Sequence, residues 1–380
     1  MRLWIIGNGF DLHHGLKTKY SDYKAYLCQH HTCKKECERV PITNLPQEVC
    51  RNCCKKNCEN GCRDRSCPVR KFNDLPREGS GKCAWRDLEG DSYFDIEQML
   101  KSTDGYHDKN SESMETPAIH LLHGYLDFAR IFTGAEFYDW FCSVEADMSK
   151  DKKIQFLDEG RHDVFLTFNY TNTLQKVYGV ASERIWPVHG SVEQVAKALE
   201  REKDEDKGIN KAYIAHNCLE FGSPYLTKAA VDMTVDRYAK ERNLSAEQTE
   251  DLRRCLSRLV KFLNKNIQDR LVFVKKFVAE KCSDFAALEE VVVAGHSLSQ
   301  IDSPYLDYLA DYFKCVRWRF LHNGNEDVHR AFEFCERHRL DGCCVPWGSP
   351  TKSVLGGVPC REQGGAYCPG FSICWSNKQP

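Results

Sequence analysis

Four apolar runs, each ending in a glycine or a polar turn, constrain the fold of this chain more than any other feature. Residues 2–6 read RLWII and stop at Gly7, and residues 163–168 read DVFLTF and stop at Asn169. Ile185–Val188 precede His189 and Gly190, and Glu290–Ala294 precede Gly295. A fifth strand-like run covers Cys315–Leu321. Continuous β-branched runs of this kind are the pattern of strands buried on both faces, as in a parallel sheet. Between them lie helical patterns at Tyr23–Leu27, Pro117–Phe132, Glu136–Met148, Thr173–Tyr178, Ala246–Arg270, Pro304–Phe313 and Asp327–Arg339. Thr116 before Pro117 has the form of an N-cap followed by proline in the first turn. The alternation predicts an α/β fold, a mainly parallel sheet flanked by helices. Ligands of such sheets bind outside the carboxyl ends of the strands, so the four polar turns are expected to face one crevice.

Composition removes several classes of function. With 53 Lys and Arg against 55 Asp and Glu, a net charge of -2 argues against a globally basic nucleic-acid binder. No apolar run approaches the ~18 residues of a membrane-spanning helix. The first residues move from a short apolar run straight into glycine and charge, unlike a signal peptide, so a cytoplasmic protein without a membrane partner is expected. Residues 246–282 carry the longest helical pattern, with Leu252, Leu256, Leu259, Val260, Leu263 and Ile267 at steps suited to packing. Residues 200–211, EREKDEDKGINK, read as a charged loop.

The chain has 21 cysteines, and ten of them fall between Cys28 and Cys83. In a reducing cytoplasm such a cluster points to metal before disulfides. The stretch is poor in large apolar residues and rich in Lys and Arg, so it needs a staple in place of a core. Cys33, Cys37, Cys50 and Cys53 form one set of four thiolates, and Cys54, Cys58, Cys62 and Cys67 a second. Cys28, Cys83, His30 and His31 are alternative ligands. Structural zinc is the expected metal, and a disulfide-stapled insert is the competing reading. The basic residues of the cluster suit either a solvated surface or a contact with nucleic acid. Cys343, Cys344, Cys360, Cys368 and Cys374 lie in a Gly- and Pro-rich tail with little periodicity, where a further metal site is left open. Cys142, Cys218, Cys255, Cys282, Cys315 and Cys335 are scattered and read as small buried apolar side chains.

Each polar turn has a chemical reading and a plain structural one. Gly7-Asn8-Gly9-Phe10-Asp11 follows a strand and opens a helix, where backbone N–H groups can approach a phosphate. It lacks the third glycine of the dinucleotide fingerprint, since Leu12 stands there, and a tight turn explains it equally. Asp11 suits a ribose hydroxyl or a helix cap. Thr167, Asn169 and Thr171 offer an amide and hydroxyls to water or ribose, or else cap the next helix. His189 suits a general base. Gly295-His296-Ser297-Leu298-Ser299, with Asp302 close behind, is a small-residue turn fit for a second wall against a phosphate or adenosine, or a simple strand-to-helix connection.

Several segments together resemble the abortive-infection AbiH family of bacterial antiphage proteins: IIGNGFDLHHGLKTKYSDY (5–23), FLTFNYTNTLQKVY (165–178), VHGS (188–191), LEFG (219–222) and GHSLSQIDSPYL (295–306). Either WRDLE (85–89) or YFDIEQML (93–100) fits the acidic helix that follows the first helix in that family. The resemblance implies an AbiH domain over 1–27 and 84–340, interrupted by the Cys-rich insertion 28–83 and followed by a tail, 341–380. The family is in turn similar to sirtuin-like domains in the order of its turns, which implies a Rossmann-like core. GNGF stands at the sirtuin Gly-Ala-Gly turn, TFNYTNTL at the Gln-Asn-Ile-Asp turn, HGS at the His-Gly pair and GHSLSQ at the later Gly-Thr-Ser-Leu turn. Asn169 would then contact the nicotinamide ribose, and His189 would activate a ribose hydroxyl or water. Gly7, Asn8, Gly9, Phe10, Asp11, Thr167, Thr171, Gly295 and Ser297 would border NAD as substrate or ligand. Asn8 replaces a small residue of the sirtuin pattern, and Thr171 an aspartate.

The leading expectation is therefore an NAD-hydrolysing effector of phage defence. The alternatives are a nucleotide or nucleic-acid sensor without turnover, its Cys-rich insertion contacting a phage-derived trigger or nucleic acid, and a nuclease or nucleotide hydrolase holding a divalent ion with Asp11, Asp302 and one or both of Glu89 and Glu97.

Overall fold

A computed structural model describes residues 1–30, 134–146, 148, 153–154, 157, 162–204, 211–221, 227–263, 267–284, 287–322, 325–346 and 371–373. The strands are β1 (Arg2–Ile6), β2 (Val164–Thr167), β3 (Ile185–Pro187), β4 (Glu290–Ala294), β5 (Arg317–His322), β6 (Gly342–Pro346) and β7 (Phe371–Ile373). The helices are α1 (Asn8–His13), α2 (Tyr20–His30), α3 (Ala135–Ala146), α4 (Thr173–Tyr178), α5 (Val192–Asp204), α6 (Lys211–Cys218), α7 (Lys228–Arg242), α8 (Ala246–Leu263), α9 (Ile267–Lys281), α10 (Ser303–Tyr312) and α11 (Asn325–His338). The chain divides into two compact units. One comprises Met1–Thr18, Phe141–Ala196 and Asn266–Pro380, the other Lys19–Trp140 and Lys197–Lys265.

The first unit holds the sheet. Its strand order is β3-β2-β1-β4-β5-β6-β7, and every neighbouring pair is parallel. The chain lays strands outward from β1 through β2 to β3, then crosses back to place β4 on the other side of β1. The order therefore reverses between β1 and β4, where turns leaving their carboxyl ends have helices departing in opposite senses. The sequence pattern explains why both faces are covered. Leu3, Ile5, Leu166, Val291 and Val293 point to one face and pack with Phe277 of α9, Leu309 of α10 and Phe334 of α11. Trp4, Ile6, Phe165, Val292 and Ala294 alternate to the other and pack with Phe10 of α1 and Leu174 of α4. The register places Trp4 between Phe165 and Val292, and all five residues of β4 are buried.

The amino-terminal edge of the sheet is pinned by charge. Asp163, buried just before β2, accepts the Arg2 backbone N–H and Nε, both at 2.8 Å, and Trp4 Nε1 at 2.9 Å. Arg319 pairs with Glu290 across β4 and β5 at 2.8 Å. Burial pushes the Glu290 carboxyl up, and Arg319 pulls against it.

The second unit is helical where it is described. Tyr23 of α2 packs against Phe137 and Trp140 of α3. Arg253 of α8 binds Asp232 and Asp236 of α7. Ser245 and Gln248 exchange side-chain and backbone bonds at the start of α8, a capping box.

Several details depart from the sequence-based expectations. Residues 200–204 continue α5 and are no loop. The pattern over Ala246–Arg270 is divided between α8 and α9, which belong to different units. The fifth strand begins at Arg317 and not Cys315. Two strands, β6 and β7, lie beyond residue 340, where no strand was expected. Cys255, Cys282 and Cys335 are buried as expected, but Cys142 and Cys315 are exposed and Cys218 is half-buried. Burial pushes the thiols of Cys282 and Cys335 up to about 11 and about 12. The residues proposed as zinc ligands (Cys33, Cys37, Cys50, Cys53, Cys54, Cys58, Cys62 and Cys67), their alternatives Cys83 and His31, Glu89, Glu97 and the Pro117–Phe132 helix lie outside the described residues. Among the described residues no group of three or more His, Cys, Asp or Glu is placed to hold a metal ion. No helix there is long and apolar enough to cross a membrane.

Candidate functional site

All four polar turns leave carboxyl ends of β1, β2, β3 and β4, and all belong to the first unit. The turns after β1 and β4 touch backbone to backbone. Gly7 N–H donates to Ala294 O at 3.0 Å, and Gly9 N–H to Gly295 O at 2.8 Å. A Cβ on Gly7 would lie 2.5 Å from the His296 Cα, and one on Gly9 would lie 2.8 Å from the Gly295 Cα. These positions are glycine because two turns meet there, and the Gly9 amide is spent on that contact. Asn8 reaches the other way, its Nδ2 donating to Thr18 O at 3.2 Å. Phe10 is fully buried in the core beneath α1.

The turn after β2 joins this pair from the side. Asn169 is buried, and its Nδ2 donates to Gly7 O at 3.0 Å. Its backbone N–H donates to Thr167 Oγ1 at 3.1 Å. Thr171 and Thr173 each donate a hydroxyl to Asp11, at 2.7 Å, one to each carboxylate oxygen. Asn169 bonds the same carboxyl. Asp11 thus ties α1 to the start of α4, and the hydroxyl of Thr171 stands beside a carboxylate contributed by β1's turn.

Asp11 is 1 % exposed, and burial pushes its pKa up to about 6. The threonine hydroxyls and Asn169 oppose the rise, and the nearby Glu145 adds to it. Because the folded value lies above the unfolded 3.8, this carboxyl contributes stability that is full below pH 3.8 and is lost as the pH rises through about 6. A rise of that size corresponds to about 3 kcal/mol. The stability difference between wild type and Asp11→Asn should change by that amount between pH 4 and pH 7, read by urea unfolding, with wild type losing ground as the pH rises. A pH-independent difference would contradict it.

His189 begins the turn after β3. Gly190 follows at φ +84°, a left-handed value that suits glycine. Ser191 then caps α5, trading bonds with Gln194 at 3.2 and 3.3 Å. The His189 imidazole is 4 % exposed, and its Nε2 lies 3.0 Å from Asp302 Oδ1. Asp302 arrives from the turn after β4 and also faces His296, whose Nε2 is 3.4 Å from Oδ2. Phe168 sets its ring edge-on to both imidazoles, with centroids 5.3 Å from His189 and 4.5 Å from His296. Tyr305 of α10 closes on His189 at 6.0 Å.

Most of the predicted turn residues are therefore connected by contacts. Gly7, Gly9, Asn169 and Gly295 are in direct contact, as are Asp11, Asn169 and Thr171. His189 is linked to them through Phe168, the residue before Asn169, and through Asp302 to His296, which abuts Gly7. Ser297 is half-buried in the same turn. His296 entered the reading of the sequence only as part of its turn, without a role of its own, and Asp302 only beside that turn and as a metal ligand. Their signal was present in GHSLSQID, a histidine and an aspartate six positions apart after a strand. A second missed group is His14, whose Nδ1 donates to Phe10 O at 2.7 Å while Nε2 accepts from the Tyr178 hydroxyl at 2.8 Å.

Chemically the cluster offers an imidazole held by a carboxylate and an amide beside hydroxyls, at the carboxyl edge of a parallel sheet. This is an α/β protein with an imidazole–carboxylate pair at its strand-end turns. The profile of the family described as bacteriophage abortive infection AbiH matches residues 3–322, and the chain belongs to that family. Membership carries a role in phage abortive-infection defence. No curated protein and no solved structure matches the chain.

Proposed function

We propose that this AbiH protein is a defence effector that binds a nucleotide and hydrolyses NAD with His189 and Asn169. The observation that carries the reading is the gathering of His189, Asn169 and the Gly7–Gly9 turn around the point where the strand order reverses. The order 3-2-1-4-5-6-7 contains the 3-2-1-4-5-6 order of dinucleotide-binding α/β sheets, whose ligands lie at such a reversal, and this supports the reading. Water would attack the ribose carbon bonded to nicotinamide, passing its proton to His189. The carbon–nitrogen bond would break with its electron pair going to the departing pyridine, which leaves neutral. Asn169 would orient the ribose, and Gly7, Asn8, Gly9, Phe10, Asp11, Thr167, Thr171, Gly295 and Ser297 would shape the surrounding wall. Residues in such positions act by orientation and by placing dipoles where charge develops.

Purified full-length protein, incubated with NAD under conditions in which it arrests infected cells, should release free nicotinamide. Protein that protects cells while NAD stays intact, in vitro and in the infected cell, would overturn the assignment. Binding of NAD or ATP without turnover would favour a sensor instead. The insertion is a separate proposal: Cys33, Cys37, Cys50, Cys53, Cys54, Cys58, Cys62 and Cys67 hold structural zinc. Elemental analysis of the same preparation should then find about two ions per chain, four thiolates to each. A metal-free folded protein would overturn that part.

A further inference from the structure

We propose that the exposed face of α9 is a docking surface for a second copy of this chain, the two α9 helices packing antiparallel about a two-fold axis that passes between Val272 and Phe273. This surface lies wholly within the first unit and owes nothing to the reading of the strand-end turns.

Apolar exposure supplies the first step. Among the described residues four large apolar side chains are exposed, and the two in the first unit, Val272 and Phe273 at 62 % and 49 %, are neighbours on α9. The helix buries its other side, where Ile267, Val274, Phe277 and Val278 join the core. Trp186 of β3 extends the strip sideways, its ring stacked on Phe273 with centroids 5.8 Å apart. Contiguous apolar side chains at the surface, with aromatics among them, mark the centres of protein contacts. Strand addition is the poorer fit to this edge of the sheet, because β3 is three residues long and ends in Pro187.

Charge selects the occupant. Asp269, Val272, Phe273 and Lys276 are all exposed, and helical geometry sets them within an arc of about 100°. Asp269 and Lys276 lie at the middle of that arc, equally far in sequence from the point between Val272 and Phe273. A two-fold axis through that point sets Val272 of one copy beside Phe273 of the other, and Asp269 beside Lys276, at two equivalent places. Parallel packing would set each charge against its own like, so the pattern admits the antiparallel orientation only. A foreign partner places no such two-fold requirement on the surface. Neighbouring charges are engaged elsewhere: Lys275 lies over the Tyr308 ring, with Nζ 5.2 Å from its centroid, and Glu280 pairs with Lys281 at 3.1 Å. A contact centred on one helix of 15 residues is smaller than the interface of a permanent dimer, so association is expected in the micromolar range.

Sedimentation velocity on the full chain, from about 1 to about 200 µM, should move from one chain to two as the concentration rises. Val272→Glu alters an exposed position, so the fold is kept, and it should weaken association by about 10-fold or more. Met233→Glu, on the exposed surface of α7, should leave association unchanged. Asp269→Lys and Lys276→Asp should each weaken self-association by about 10-fold, because each sets like charges together at both contacts. Mixed one to one, these two variants should pair with each other as well as wild type pairs with itself. A wild-type chain that stays single throughout would overturn the proposal and leave the strip to a different partner. So would association that survives Val272→Glu, that falls equally with Met233→Glu, or that is not recovered when the charge variants are mixed. None of these readouts involves NAD.

Discussion

Gly295→Ala should cost this protein about 4 kcal/mol, near the whole stability of a marginal domain. The residue sits at φ +67°, and alanine there loses about 1–2 kcal/mol to left-handed backbone strain. The new methyl would also lie 2.2 Å from Phe10 N, 2.5 Å from Gly9 C and 2.7 Å from Gly9 Cα. All three are backbone atoms, so no rotamer change relieves the overlap. The turns after β1 and β4 must separate, which breaks the 2.8 Å bond from Gly9 N–H to Gly295 O. Gly179 is the internal control. It has nearly the same φ, +66°, but a Cβ there meets nothing within 4 Å. Gly179→Ala should cost only about 1–2 kcal/mol, the dihedral penalty alone. Chemical denaturation of both variants separates the two effects, and equal losses would show that turn contact contributes nothing. The same contact holds the turns after β1 and β4 together beside the strand-order reversal.

The strands that could be read from sequence are those buried on both faces. RLWII became β1 and EVVVA became β4 without a shift of either end, since an unbroken β-branched run has few other places to go. β6 carries the same burial but spells GCCVP, and glycine, cysteine and proline hide it. β7 is three residues long, too short for any period to be visible. Helix α5 was not read as a helix, and its charged last turn was taken for part of a loop, though charge on a solvated helix face is ordinary. The site was legible by position and less so by partnership. Strand ends marked Asn169, His189 and Gly295 correctly as neighbours of one edge. Asp302 is 113 residues from His189, and no local pattern connects them. Asp11 looked available for a ligand because its threonine partners arrive from the turn after β2 and the start of α4, 160 and 162 residues later. Hydrogen bonds of this kind are fixed by tertiary structure, and the residue types alone fit a ligand equally well.

His189→Gln should separate chemistry from folding. The amide introduced can still donate to Asp302, and its volume is close to that of imidazole, so the packing of Phe168 and Tyr305 is largely kept. Its unfolding midpoint should stay near that of wild type. The amide has no basic nitrogen, however, and loss of a positioned general base lowers turnover by about 10²–10⁴-fold. Nicotinamide release should fall by that factor, and protection of infected cells should fall with it. Asn169→Ala provides the contrast. Its Nδ2 holds Gly7 O at 3.0 Å and its side chain also bonds Asp11, so its removal strips two buried groups of a partner. That variant should lose about 1–3 kcal/mol of stability together with activity. Wild-type rates of NAD cleavage in folded His189→Gln would mean that the proton goes elsewhere, and the imidazole–carboxylate pair would then be a structural clasp between the turns after β3 and β4.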